Sequence, residues 1–172
     1  MQTHLVLTVI GRDRPGLVSA VSETVAAGGG NWLDTRMASL AGQFAGILLV
    51  EVAREKADAL VAALHKLEGQ GLRLLIEKSA DGDAHAGSRA TLDLLGLDRP
   101  GIVREISRAL AAHQVSIAEL ETEQVSGSFS GEPMFKAHAA LDIPEGLDMA
   151  ALRASLEAIA SELMVDLELE GA

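Results

Sequence analysis

The sequence predicts an α+β protein made of two β-α-β-β-α-β repeats, each closing a four-stranded antiparallel sheet. Three observations predict it. The octet GRDRPGLV (Gly11–Val18) returns as GLDRPGIV (Gly96–Val103), six of the eight residues being identical and Asp13 and Asp98 lying 85 positions apart. Each octet follows a short apolar run and precedes apolar residues at helical spacing. Each is then followed by strand, turn, strand, helix and strand patterns in the same order, so the repeat is about half the chain.

The elements read as follows. The runs LVLTVI (Leu5–Ile10) and TLDLLGL (Thr91–Leu97) are the opening strands. Leu17, Val21 and Val25 mark one face of the first helix, and Ile102, Ile106 and Leu110 mark its counterpart. The first helix stops at Gly28–Gly30, where glycine tolerates the left-handed backbone common at helix ends. No GxxxxGK[ST] pattern follows these glycines, so they are not read as a phosphate loop. The middle strands fall near Asn31–Leu40 and Phe44–Val52 in one half, and Val115–Val125 and Met134–Ile143 in the other. The second pair is joined by SGSFSGEP (Ser126–Pro133). Second helices carry Leu60, Leu64 and Leu67, and Met149, Leu152, Leu156, Ile159 and Leu163. Closing strands are LRLLIE (Leu72–Glu77) and VDLELE (Val165–Glu170). The domains are therefore expected at 1–79 and 89–172, with the small, polar residues 80–88 as linker. Asp81 and Asp83 start no calcium loop, because Ala86 and Leu92 stand where glycine and glutamate are needed.

The strand Phe135–Ile143 alternates apolar residues with Lys136, His138 and Asp142, as expected of a sheet with one wet face. Phe44–Val52 and Leu5–Ile10 are apolar on both faces. The open face of the first sheet is therefore expected to be buried, against the second half or another subunit.

Composition narrows the function. Apolar residues make up 48% of the 172 residues, but only Trp32, Phe44, Phe129 and Phe135 are aromatic, so the core is aliphatic. A net charge of −11 disfavours nucleic acid, whose phosphates need clustered Lys and Arg, and anionic membrane surfaces. Phe135 alone is no stacking platform for RNA. The absence of cysteine suits the cytoplasm. No signal peptide or membrane-spanning run is read in the sequence. His4, His65, His85, His113 and His138 form no ligand spacing, and no G-x-S-x-G is present, so neither an enzyme nor a metal or other cofactor is expected.

The octet joins a strand to a helix. Pro15 suits a first helical turn, Asp13 is placed to cap free N–H groups, and Gly16 lets a ligand or another backbone come close. The amides of Leu17 and Val18 then point out of a helix N-terminus, which attracts anions. The same pattern equally describes a well-made helix start. Asn31 both donates and accepts, which fits an amino acid's carboxylate or ammonium, and also fits a turn after glycines. Its counterpart is the smaller Ser116.

The strand, the DRPG(L/I)V turn, the helix and the GGN opening a second strand resemble the ACT domain, a small ferredoxin-like module that senses amino acids. The resemblance covers both halves. With IAELETEQ (Ile117–Gln124) and SGEPMFKAHAAL (Ser130–Leu141), the tandem pair resembles the glycine cleavage system transcriptional repressor family. The resemblance implies a non-catalytic regulator, a small amino acid such as glycine as ligand, and action through a transcriptional activator protein rather than on DNA. It also implies a homo-oligomer. It implies ligand-binding positions at Asp13, Gly16, Leu17, Val18 and Asn31, and at Asp98, Gly101, Ile102 and Val103, with Ser116 in place of the family's asparagine. The alternatives are a ligand-free interaction module and a regulatory subunit of an amino-acid metabolic enzyme.

Overall fold

Strict alternation of apolar residues along the strands places one row of side chains toward two helices, and this row builds each core. The structure, a computed structural model, describes residues 1–79, 87–127 and 131–171. Linker residues 80–86, with His85, and Phe129 lie outside the described residues. The chain divides into two compact units, Met1–Asp83 and Ala84–Ala172.

Unit 1 runs β1 (Gln2–Arg12), α1 (Leu17–Ala27), β2 (Asn31–Leu40), β3 (Gln43–Ala53), α2 (Arg54–His65), a 3-10 turn (Lys66–Gln70) and β4 (Leu72–Ser79). Its sheet has the order β2-β3-β1-β4, with every neighbour antiparallel. Leu5, Leu7 and Val9 of β1, Leu48 and Val50 of β3, and Leu72 of β4 are buried with Leu17, Val21 and Val25 of α1 and Leu60 and Leu64 of α2. Burying each such side chain stabilises by about 1.5–3 kcal/mol. Leu67, expected on the second helix, is buried from the 3-10 turn instead. Gly28 caps α1, Gly29 takes φ 73°, and a Cβ on Gly30 would come within 2.9 Å of Val25 and Val50. The three glycines thus end a helix and admit β2 close against the core.

Unit 2 repeats the plan: β5 (Gly87–Leu97), α3 (Ile102–Ala112), β6 (Ser116–Ser126), β7 (Pro133–Pro144), α4 (Met149–Leu163) and β8 (Val165–Gly171), in the order β6-β7-β5-β8. Gly87 and Ser88, expected in the linker, are strand residues paired with Pro144 and Ile143. The repetition reaches the irregularities. A bulge interrupts β2 between Trp32 and Asp34, and another interrupts β6 between Ile117 and Glu119, 85 residues on.

The first glycine of each octet serves strand packing. Gly11 sits opposite Leu72, and Gly96 opposite Val165. A Cβ on Gly96 would lie 2.5 Å from a Val165 methyl and 2.9 Å from its Cα, whereas on Gly11 the closest approach is 3.0 Å, to the Gly71 carbonyl oxygen.

The face of the first sheet turned away from its own helices carries Val6, Ile10, Ile47, Leu49 and Leu75. Gly96→Ala should lower the stability of unit 2 by about 1–3 kcal/mol through overpacking, read as a fall in the urea midpoint. Gly11→Ala should cost less, because its neighbours need to move less.

Candidate functional site: two uncapped helix starts

Both octets form the same turn, and it is built differently from the one expected. The N-cap residues of α1 and α3 are Gly16 (φ 91°) and Gly101 (φ 101°), and neither helix has a side-chain cap. Left-handed backbone at this point favours glycine, which has no Cβ to clash. Asp13 does not cap α1. Its carboxylate accepts a hydrogen bond from the Ser39 hydroxyl at the end of β2, and its N–H donates to the Gly42 carbonyl. Asp98 is held in the same way by Gln124 Nε2 at 2.6 Å, with its N–H donating to the Pro133 carbonyl. The expected aspartate cap occurs elsewhere, at Asp148, which accepts from the amides of Ala150 and Ala151 at the start of α4.

The octet arginines make the second tether. Arg14 donates to the Gln70 carbonyl just before β4, and Arg99 reaches the Met164 sulfur just before β8, at 3.8 Å. Each turn is thus braced from both flanks. The helices begin with Ala20 N–H donating to Gly16 and Glu105 N–H donating to Gly101. The amides that precede these bonds, including Leu17 and Val18, and Ile102 and Val103, have no intrahelical acceptor. Leu17 and Ile102 anchor their helices in the cores, while Val18 (45% exposed) and Val103 (43%) stand at the surface beside the amides. Helix α2 also lacks a side-chain cap but carries Glu55 in its first turn; α3 carries Glu105 there, paired with Arg104, and α1 has no acid there.

Asn31 does not join this turn. It pairs with Glu51, which pairs with His4, whereas the turn follows Arg12, opposite Gln43. Eight residues of β1 separate the two ends, about 26 Å at strand rise. The reason is topological: α1 carries the chain back along the sheet, so β2 starts at the far end. Ser116, paired with Asp142 opposite Arg89, is displaced from the second turn in the same way. Within a unit, neither residue can share a small ligand with the turn amides. Asn31 instead forms a polar row with Glu51 and His4, whose Nε2 lies 3.8 Å from the Glu51 carboxylate.

The two turns differ in their surroundings. Beside Val103, an apolar cleft of about 20 Å³ runs between α3 and β6, lined by Ile106, Leu110, Ile117, Leu120 and Phe135 among others. In unit 1 the corresponding strand positions hold Trp32 and Met37, both packed on the core, where unit 2 has Ile117 and Thr122. No sequence signal had marked this cleft. Among the described residues no group of three or more His, Asp or Glu is placed to hold a metal, and no helix is long and apolar enough to cross a membrane.

The open face of the unit 2 sheet is strongly charged. His138 pairs with Asp93 at 2.7 Å, flanked across the strands by Glu121 and Glu168. The hydrogen bond to Asp93, then its charge, raises the His138 pKa above 6.5, with Glu121 and Glu119 adding to the effect.

Comparison with known proteins agrees with this architecture. Residues 3–77 match the ACT domain family. Unit 1 is thus an ACT domain, and unit 2 repeats its fold. It is 26% identical to the glycine cleavage system transcriptional repressor of Escherichia coli (strain K12) over 165 residues, covering 94% of this chain and 86% of that protein. It is 31% identical to a UPF0237 protein of Methanococcus maripaludis over 77 residues, covering 43% of this chain and 86% of that one. A solved structure of an unknown protein from Galdieria sulphuraria superposes with a TM-score of 0.83 at 28% identity, covering 100% of this chain and 99% of that one.

Gly16→Ala should destabilise unit 1 by roughly 1–2 kcal/mol, the cost of a left-handed residue alone, since nothing lies within 4 Å of the new methyl. Equilibrium denaturation measures it. By NMR, His138 should titrate above 6.5, and Asp93→Asn should lower its pKa. Because the folded pKa is raised, the pair's contribution to stability is complete below 6.5 and is lost as pH rises through the raised value.

Proposed function

We propose that the chain is a cytoplasmic, non-catalytic regulator that binds a small amino acid at its helix-start turns. Binding then alters its affinity for a transcriptional activator protein. One observation carries the ligand reading: the braced turn, built twice, presents the amides of Leu17 and Val18, and of Ile102 and Val103, with no side-chain cap. A helix N-terminus gathers partial positive charge and N–H donors, which suit a carboxylate. Similarity to the E. coli repressor over 94% of the chain supports the regulatory half of the reading.

Asp13 and Asp98 act as positioning residues, because their carboxylates are engaged with Ser39 and Gln124. Gly16 and Gly101 set the backbone, and Leu17, Val18, Ile102 and Val103 supply the amides. Signalling requires the ligand to bind two states of the protein unequally. A small apolar cleft adjoins Val103 at the second turn.

The size of the ligand limits its affinity. Glycine has about five heavy atoms at a ceiling of roughly 1.5 kcal/mol each, which corresponds to a Kd no tighter than about micromolar. Titration calorimetry with a panel of amino acids, glycine and serine first, should give such a Kd. Asn31→Ala should leave it unchanged, and Gly16→Val should weaken binding at the first turn. If no amino acid binds at millimolar concentration, the sensing reading fails and the ligand-free interaction module stands.

A further inference from the structure

The arginine braces of the two turns end on different atoms. In unit 1, Gly71 immediately precedes Leu72, the residue opposite Gly11, and Arg14 donates to the carbonyl oxygen of Gln70 beside it. In unit 2, Met164 immediately precedes Val165, the residue opposite Gly96, and Arg99 Nη2 lies 3.8 Å from the Met164 sulfur. Gly71 and Met164 thus hold the same place in their units, and both have left-handed backbone, with φ 85° and 54°. Glycine adopts that conformation freely, whereas methionine adopts it at a cost. A thioether sulfur is a weak acceptor. Arg99 nevertheless makes no ion pair among the described residues. The second brace therefore sets a full positive charge against a poor acceptor.

We propose that Met164 is a reversible oxidation site whose sulfoxide gives Arg99 a strong acceptor and so tightens the second turn. The oxidant is a peroxide. The sulfur lone pair attacks one peroxide oxygen, the S–O bond forms and the O–O bond breaks. The proton on the transferred oxygen passes to the leaving oxygen, which departs as water from hydrogen peroxide. The sulfur loses two electrons and the peroxide gains them. Methionine sulfoxide reductases reverse the step.

The surroundings of Met164 suit this role. Its side chain is 63% exposed, whereas Met37, Met134 and Met149 are partly buried. A sulfoxide in a core disrupts packing; at Met164 the new oxygen stays in water or on Arg99. Methionine is unbranched with three rotatable bonds, so the sulfoxide can turn toward the guanidinium. A charge-assisted N–H···O bond is shorter and stronger than the contact it replaces. It would also reproduce the arrangement of unit 1, where the arginine already ends on an oxygen. Gly71 offers no sulfur, so the device belongs to the second turn. Arg99 lies two residues before Gly101, the N-cap of α3, so holding it more firmly steadies the start of that helix.

Hydrogen exchange, followed by NMR on the full chain without added amino acid, tests this. The Glu105 N–H, which donates to the Gly101 carbonyl, reports opening of the first turn of α3. Mild hydrogen peroxide should oxidise Met164 ahead of Met37, Met134 and Met149, as read by peptide mass spectrometry. Exchange at Glu105 should then slow roughly fivefold, and treatment with methionine sulfoxide reductases should restore it. Met164→Leu should show no slowing under peroxide, although Met1 can still oxidise. Met164→Gln supplies an oxygen acceptor and should slow exchange without peroxide. Arg99→Gln should let Met164 oxidise but abolish the slowing; if circular dichroism shows that this variant fails to fold, the two Met164 variants decide. A Met164 that resists peroxide in the folded protein overturns the proposal. So does oxidation that leaves Glu105 exchange unchanged or faster, or slowing that persists in a folded Arg99→Gln. No ligand enters the measurement, so its failure leaves the amino-acid reading untouched.

Discussion

Both units depend on one braced turn. The octet must carry the chain from the end of a central strand to the start of a helix that packs on that sheet. The left-handed glycine makes the reversal, and two side chains hold it. The aspartate ties the turn to the end of the second strand, through Ser39 or Gln124, and the arginine ties it to the loop before the last strand, through Gln70 or Met164. These tethers place Leu17 and Ile102 in the cores and so fix the register of each helix. They also have a chemical consequence. With its carboxylate turned to a neighbouring strand the aspartate makes no cap on the helix, so the turn that is held rigid also leaves its first amides without a side-chain partner.

Much of this was legible in the sequence, because periodicity reports which face of an element is buried. The strand-helix-strand order, the helix faces around Val21 and Ile106, and the glycine stop at Gly28–Gly30 all follow from local pattern. The partners of the turn do not. Asp13 reads as a helix cap because capping is a local interaction, but Ser39 is 26 residues away, and only the hairpin between β2 and β3 returns it. Asn31 lies away from the turn of its own unit for a related reason. Its nearness to the turn in sequence is undone by the length of α1, which delivers β2 to the opposite end of the sheet. The second apolar face of the first sheet was visible as two-sided hydrophobicity in Phe44–Val52, but what packs on it is no property of one strand.

The halves agree where packing constrains them and diverge where it does not. The buried rows match position for position, Leu5 with Ala90 and Leu7 with Leu92, and even the bulges coincide. Beyond the cores the units part. Trp32 and Met37 pack on the first core where the second unit has Ile117 and Thr122, and an apolar sheet face in one unit is an acidic one in the other. Differences of this kind cost the fold little, because they lie on solvent-facing rows or at the margin of the core. They change what each unit can touch. A duplicated regulator whose two copies kept identical surfaces would offer two equal sites. This chain keeps one turn in two settings, so the two turns present different surroundings to whatever they bind.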